Sequence, residues 1–299
     1  MNLRDLNYFE TIAELEHLGR AADRLHKTQP ALSECLRRLE EASGAPLFEK
    51  SGRGIRLTAA GKILLKWAIR LRSDAENAQR EISDLQQGLS GHIRIGLVPT
   101  AAHFLIPSAA RRLLEEAPNV TLYTEVGLVA SLKQLLRSGK LDLIVGTQSA
   151  SEEGFVSKLL MEDVIVAAAN SNHEIFQGTP RLSDLTRYRW ALQPPGAPTR
   201  DWLDNTFTRH HLPRPQVLVE SSMLLSLPNL IAETGLLSFI SRLHLESSNQ
   251  DLRLKEIPIA ETNMRRRLVV TYGENSYLPP AARRLIELLT HTEESQALV

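Results

Sequence analysis

The residues best suited to chemistry stand together at Thr28-Gln29-Pro30-Ala31-Leu32-Ser33-Glu34. They suit reading hydrogen bonds rather than breaking covalent ones. Gln29 offers an amide that can pair bidentately with adenine, Ser33 a hydroxyl for either groove edge, and Glu34 a carboxylate that accepts from cytosine N4. Thr28 and Pro30 open a helix whose first amides can hold a phosphate. Arg37 lies on the same polar side, one turn on. Arg53, set between Gly52 and Gly54, is free to enter a minor groove, while Lys50 and Arg56 can meet the backbone. Polar residues at a helix start are commonly only caps. Helix, Gly-flanked arginine and basic charge together point further than any one of them.

That charge is local. The whole chain balances 35 basic against 35 acidic residues, yet residues 20–66 hold ten basic side chains against five acids. Such an excess on a neutral protein suits a polyanion. Enzymatic patterns are missing: there is no Gly-x-Ser-x-Gly, Walker A or His-Glu-x-x-His motif, and no Gly-rich dinucleotide turn follows a strand. His210 and His211 are adjacent, about 100° apart on a helix, so they do not share a metal easily. No enzyme, metal or cofactor is expected.

These residues need positioning elements. Leu3, Leu6, Phe9, Ile12 and Ala13 predict a first helix, and Gly19 to Leu25 a short second one. A third begins at Thr28 as N-cap with Pro30 in its first turn, buries Ala31, Leu32, Cys35, Leu36 and Leu39, and ends at Gly44. Two short apolar segments around Ser51-Gly52-Arg53-Gly54 predict a hairpin. A hairpin directly after a helix-turn-helix is a wing. Thr58 can cap the long helix that follows. In that helix Leu64, Ala68, Leu71, Ala75, Ala78, Ile82, Leu85 and Leu89 are spaced alternately four and three apart, a seam for pairing with a second copy. Gly88, Ser90 and Gly91 then mark a hinge.

From His92 onward strands alternate with amphipathic helices, predicting an α/β domain with mostly parallel sheets. Expected strands are Ile93–Leu97, Val120–Val126, Leu143–Gly146, Val164–Ala169, Trp190–Leu192, Val217–Glu220, Leu236–Ile240 and Leu268–Tyr272. Expected helices are Ala102–Glu116, Ser131–Ser138, Arg200–Arg209, Ser222–Glu233 and Pro280–Thr290. About 200 residues exceed what one sheet needs, so two lobes are expected. No apolar run is long enough for a bilayer, the opening residues reach Asp5 without an apolar stretch, and the single cysteine cannot form an internal disulfide. A cytoplasmic protein with no membrane partner is expected.

The stretch Phe9 to Gly61 resembles the DNA-binding domain of LysR-type transcriptional regulators. Ala21-Ala22, Leu25, Thr28 to Ser33, Arg38-Leu39-Glu40, Gly44, Pro46-Leu47-Phe48, Arg53 and Leu57-Thr58-Ala59-Ala60-Gly61 carry the resemblance. It implies an α/β fold with an N-terminal winged helix-turn-helix over 1–60 and a dimerising linker helix over 61–89. A periplasmic-binding-protein-like sensor of two subdomains would span 92–299, the first about 92–162 plus 267–299, the second about 163–266. Homodimers or homotetramers on an interrupted palindrome in promoter double-stranded DNA are implied, modulated by a small-molecule effector between the lobes. Many members carry Arg-Gln after the serine, where this chain has Glu34-Cys35, so the usual half-site does not transfer. An oxidant or protein signal is the rival to a metabolite. Cys35, on an apolar helix face, is expected to be buried and inert.

Within the sensor, Thr100 and Ala101 follow the first strand at a helix start, where hydroxyl and amides can hold a carboxylate. Gly127 and Leu128, then Thr147 and Gln148, edge the same cleft by similar topology. Pro195 and Ser222, the latter at a second helix start, face them from the other lobe. These loops hold no arginine except Arg200, so an organic acid held by hydroxyls and amides is expected.

Overall fold

The computed structural model describes residues 1–52, 54–87, 91–150, 153–246 and 253–290. Three helices build the head: α1 (Leu3–Leu15), α2 (Leu18–Leu25) and α3 (Gln29–Ser43). Thr28 caps α3 by accepting from the Ala31 amide, and Gly44 ends it in the left-handed region at φ 67°. Leu32, Cys35, Leu36 and Leu39 turn inward onto Leu6, Phe9 and Ile12. Ala31, expected on that face, is exposed instead, beside Gln29 and Pro30 at the helix start. The wing is the antiparallel pair β1 (Phe48–Ser51) and β2 (Gly54–Leu57). Phe48 packs edge-on to Phe9, and the Ile55 amide donates to the Glu16 carbonyl.

Helix α4 (Ala59–Gln87) follows, capped by the Thr58 hydroxyl accepting from the Gly61 amide. The expected seam is divided along it. Leu64 and the fully buried Ala68 join the head core, whereas Ile63, Trp67, Leu71 and Ile82 are exposed. Leu64 and Ala68 lie where α1 covers the helix, so of the expected seam Leu71 and Ile82 stay exposed, and Ile63 and Trp67, outside it, are exposed with them. Gly88, Leu89 and Ser90 lie outside the described residues, as does the side chain of Leu85.

Among the described residues nine strands form one sheet: β3 (Gly91–Leu97), β4 (Val120–Val126), β5 (Leu143–Thr147), β6 (Phe155–Asn170), β7 (Arg189–Leu192), β8 (Gln216–Glu220), β9 (Leu237–Ser241), β10 (Leu254–Glu256) and β11 (Met264–Gly273). Their order is β4-β3-β5-β11-β6-β9-β7-β8, with β10 beside β6. The outer strands are parallel, but β6 and β11 are antiparallel to each other and to β5, β9 and β10. These two strands run longer than their apolar runs, Val164–Ala169 and Leu268–Tyr272, suggested. Charged Glu162, Arg265 and Arg267 stand on them where both strands cross between two packed bodies. One core gathers Ile93, Leu97, Leu113 and Leu285 on one side of the crossing; the other gathers Trp190, Leu203, Phe207 and Phe239. The three-residue β10 carries too short a pattern to be read.

Helices α5 (Pro99–Phe104) and α6 (Ile106–Glu116) replace the single helix expected at Ala102–Glu116. They break at Leu105, just before Pro107, which cannot donate to a continuing helix. Then come α7 (Val129–Arg137), α8 (Pro198–Arg209), α9 (Leu227–Glu233), α10 (Leu243–Glu246) and α11 (Pro280–Thr290). The helix expected from Ser222 starts at Leu227, after a 3₁₀ turn at Leu224–Ser226, with Pro228 in its first turn.

Candidate functional sites: a recognition helix and an interlobe cleft

On the head, Thr28, Gln29, Pro30, Ser33, Glu34, Arg37 and Lys50 are all exposed on α3 and the wing; Arg53 lies outside the described residues. The core contacts of Leu32, Cys35 and Leu39 fix the helix, so its polar start faces solvent as a unit. Glu34 is not a bare charge. Arg37 Nε donates to it at 2.8 Å, Arg37 also pairs with Glu41, and Arg38 stands 4.0 Å away. The hydrogen bond from Arg37 holds the Glu34 carboxyl below the usual carboxylate range. Arg38 in turn donates to the buried Asp5 at 3.0 Å, tying the helix to α1. The acid that would repel phosphate is thus offset by two neighbouring guanidinium groups.

Cys35 lies beneath this surface, 1% exposed, its thiol 3.7 Å from the Asp5 carbonyl. Burial pushes the thiol up to about 11. It is a small core residue as it stands.

The second site is a cavity of about 1130 Å³ between the two cores, floored by the crossing strands. Thr100, Gly127, Leu128 and Thr147 line it from one side, with Gln148 and Ser149; Gln193, Gly196, Thr199 and Leu224 line it from the other. Three expected lining residues are placed elsewhere. Ala101 is fully buried in the first core, because it follows Thr100 on the inner face of α5. Pro195 is exposed beside the lining residue Gly196. Ser222 is exposed before the 3₁₀ turn, outside the cavity and away from any helix start.

The cleft is also more cationic than its loops implied. Arg265, Arg266 and Arg267 of β11 and Lys133 of α7 line it. Lys133 is 7% exposed and donates to Ser149 Oγ at 2.6 Å. Arg267 pairs with Glu162 at 3.2 Å. Arg266 spans the crossing: Nε donates to Asp163 at 2.7 Å and Nη2 to Thr100 Oγ1 at 2.8 Å. Ser241 of β9 donates to the other oxygen of Asp163 at 2.6 Å. The Thr100 hydroxyl accepts from Arg266 and still has a proton of its own to donate. Arg200, the one arginine the loops offered, is committed to Asp204 and the Gln193 carbonyl. The Met264-Arg265-Arg266-Arg267 run is the sequence signal for this cationic floor, and it lines the cleft because β11 crosses between the lobes. Elsewhere on the crossing, His244 of α10 stacks on His103 of α5 with ring centroids 5.8 Å apart and meets Phe104 edge-on.

The chemistry of the cleft is recognition. Apolar walls at Val98, Leu128, Val129 and Leu224 surround hydroxyl, amide and cationic donors, a lining that suits a small molecule with both apolar and polar parts. Among the described residues no group of three His, Cys, Asp or Glu could hold a metal ion. No helix among them is long and apolar enough to cross a membrane.

Comparison with known proteins bears on both sites. Residues 3–62 match the family described as bacterial regulatory helix-turn-helix protein, LysR family, and residues 86–293 match the LysR substrate binding domain. The HTH-type transcriptional regulator GalR of Pseudomonas putida is 26% identical over 296 residues, covering 98% of this chain and 75% of that protein. The hydrogen peroxide-inducible genes activator of Escherichia coli O6:H1 is 32% identical over 173 residues, 58% of this chain and 57% of that one. Among solved structures, a full-length OxyR variant from Pseudomonas aeruginosa superposes with a TM-score of 0.68 at 25% identity, covering 97% of this chain and 94% of that chain.

Proposed function

The chain belongs to the LysR family of transcription regulators, and from that premise we propose that it binds promoter DNA as a dimer or tetramer and answers to a small organic acid held between its lobes. A head over 1–60, a linker helix over 61–89 and a sensor over 92–299 divide the work. Gln29, Ser33 and Glu34 at the start of α3 read base edges, while Thr28, Pro30, Arg37, Lys50 and Arg53 meet the phosphate backbone and minor groove. The exposed apolar stripe of α4, Ile63, Trp67, Leu71 and Ile82, pairs two copies and sets the distance between their α3 helices.

The observation that supports the ligand class is the Thr100–Arg266 pair at 2.8 Å beside Lys133. A carboxylate placed there accepts from the Thr100 hydroxyl and is balanced by the cations of β11 and α7. Its apolar body lies on Val98, Leu128 and Leu224. Closure of the lobes on the ligand shifts their packing, and with it the spacing of the two heads.

The test uses the full chain. A duplex selected from random sequence should carry two related half-sites. In a thermal-shift series of carboxylic acids, sugars and amines, acids should raise the melting temperature, since a ligand stabilises the state it binds. Binding with no preference over random duplex rejects the DNA assignment. Stabilisation by sugars or amines alone rejects the organic acid.

A further inference from the structure

One short helix and one side chain join the cleft to the head. Leu128, the N-cap of α7, and Val129, Ala130 and Lys133 within it line the cleft. The far end of α7, about 13 Å away at 1.5 Å per residue, stops at Ser138, and Gly139 follows in the left-handed region at φ 68°. That turn sits on the linker helix. Arg72 Nη2 donates to the Ser138 carbonyl at 3.2 Å, and a Cβ at Gly139 would lie 1.9 Å from Ser73 Oγ. Ser73 and Asn77 are each 9% exposed, so α4 is packed closely against the sensor here.

The same guanidinium faces the head. Arg72 Nε donates to Glu10 Oε2 at 3.1 Å, and its Nη1 to Glu76 at 2.7 Å. Glu10 stands on α1, the helix whose Leu6, Phe9 and Ile12 pack beneath α3. The other oxygen of Glu10 is buried without a hydrogen-bond partner among the described residues, so the carboxylate depends on Arg72. Further contacts hold α4 to the sensor without touching the head. Asp142 pairs with Arg80 at 2.8 Å and Arg94 at 2.7 Å, and the Tyr277 hydroxyl donates to Asp84 at 2.7 Å.

We propose that Arg72 is the positioning residue that transmits occupancy of the cleft to the DNA-binding head: α7 moves as a rod when its cleft end is filled, its Ser138–Gly139 end shifts, and Arg72 carries that shift to Glu10. The inference rests on the ligand-responsive reading of the cleft. The planar fork of arginine matters, because a lysine ammonium at this position is a point charge that cannot hold Glu10, Glu76 and Ser138 in one fixed geometry.

The experiment needs no identified effector. Ala130 is exposed inside the cleft, so Ala130→Trp fills the cavity at the start of α7 and serves as the probe. Operator affinity, and hydrogen exchange over residues 3–15, are measured for the full chain, Ala130→Trp, Arg72→Lys and the double variant. Ala130→Trp should change operator affinity roughly fivefold or more, the usual scale of coupling between sites, and alter exchange in α1. In the Arg72→Lys background, both changes should vanish while the variant still binds its operator. Arg80→Lys, which loosens only the sensor side, should leave the coupling in place. An equal response with and without Arg72, or no response in the otherwise unaltered chain, overturns the proposal. Failure of the unaltered chain to select any duplex removes instead the reading beneath it.

Discussion

Arg266 of the crossing strand β11 donates to Thr100 Oγ1 at 2.8 Å while its Nε holds Asp163 at 2.7 Å. Thr100 belongs to the first lobe, Asp163 and Arg266 to the crossing, and Ser241, which completes the pair, to the second. A ligand that takes the Thr100 hydroxyl therefore touches a network spanning both lobes. Thr100→Val keeps the shape and removes the donor. It should weaken any acid that stabilises the full chain about tenfold, the worth of one hydrogen bond to a charged group. Titration calorimetry with that acid checks it, and unchanged affinity would remove Thr100 from the site. Arg266→Ala should destabilise the fold itself by about 3 kcal/mol, because it strands a buried carboxylate; urea unfolding reads this.

At the head, Gln29→Ala should cost roughly 1–3 kcal/mol on a selected operator and little on random duplex, the signature of a base contact. Glu34→Ala should act in the opposite sense. It removes a negative charge from the exposed face and one of the two acids that hold Arg37, leaving Glu41 as its partner and Arg38 on Asp5, so affinity for random duplex rises and its dependence on salt steepens. Binding titrations across ionic strength separate the two. A salt slope unmoved by Glu34→Ala would show that Arg37 does not reach the backbone.

Much of this was legible in the sequence because it is written locally. Thr28, Pro30 and Gly44 fix the ends of α3 through rules that act within a few residues, and each cap is found where its type demands. Long-range packing was not legible. Ala68 and Ile63 share one helix, and only the presence of α1 decides that Ala68 is covered and Ile63 is not. Likewise the arginines of β11 became cleft residues because two strands cross a gap, which alternation along either strand does not encode. Helix interruptions at Pro107 and Pro228 follow from proline's missing N–H, a local signal outweighed by the apolar spacing around it.

Ile63, Trp67 and Ile82 are exposed on one helix at 64%, 50% and 63%, more apolar surface than a lone helix face retains. Trp67→Glu should therefore shift the full chain toward monomer in light scattering while its circular dichroism stays unchanged. Ala68→Glu, one residue away and buried in the head, should instead unfold the head. If Trp67→Glu leaves the mass unchanged, the pairing surface lies elsewhere.

One relative is named as the activator of hydrogen peroxide-inducible genes, and Cys35 is the only cysteine of this chain. A thiol that is 1% exposed and pushed up to about 11 supplies almost no thiolate near neutral pH. Peroxide should leave operator affinity unchanged, and a thiol reagent should label Cys35 only as fast as the head unfolds. Rapid labelling of the native chain would contradict the burial.

His244 gives the pH dependence a definite sign. Burial, with His103 stacked against it, lowers its pKa from 6.5 to about 4; Asp163 pulls the other way and Arg266 adds to the lowering. The folded chain then binds fewer protons at this site than the unfolded chain between those two values. The stability that His244 contributes is complete above pH 6.5 and declines as the pH falls toward 4. At pH 5 the loss amounts to about 2 kcal/mol, at 1.36 kcal/mol per pKa unit. His244→Phe keeps an aromatic ring against Phe104 and His103 and removes the titration. Urea unfolding of both chains at pH 7.5 and pH 5 isolates the effect, since the carboxylates common to both cancel in the difference. The unaltered chain should lose more stability than the variant. Equal losses would place His244 in contact with water rather than between the lobes.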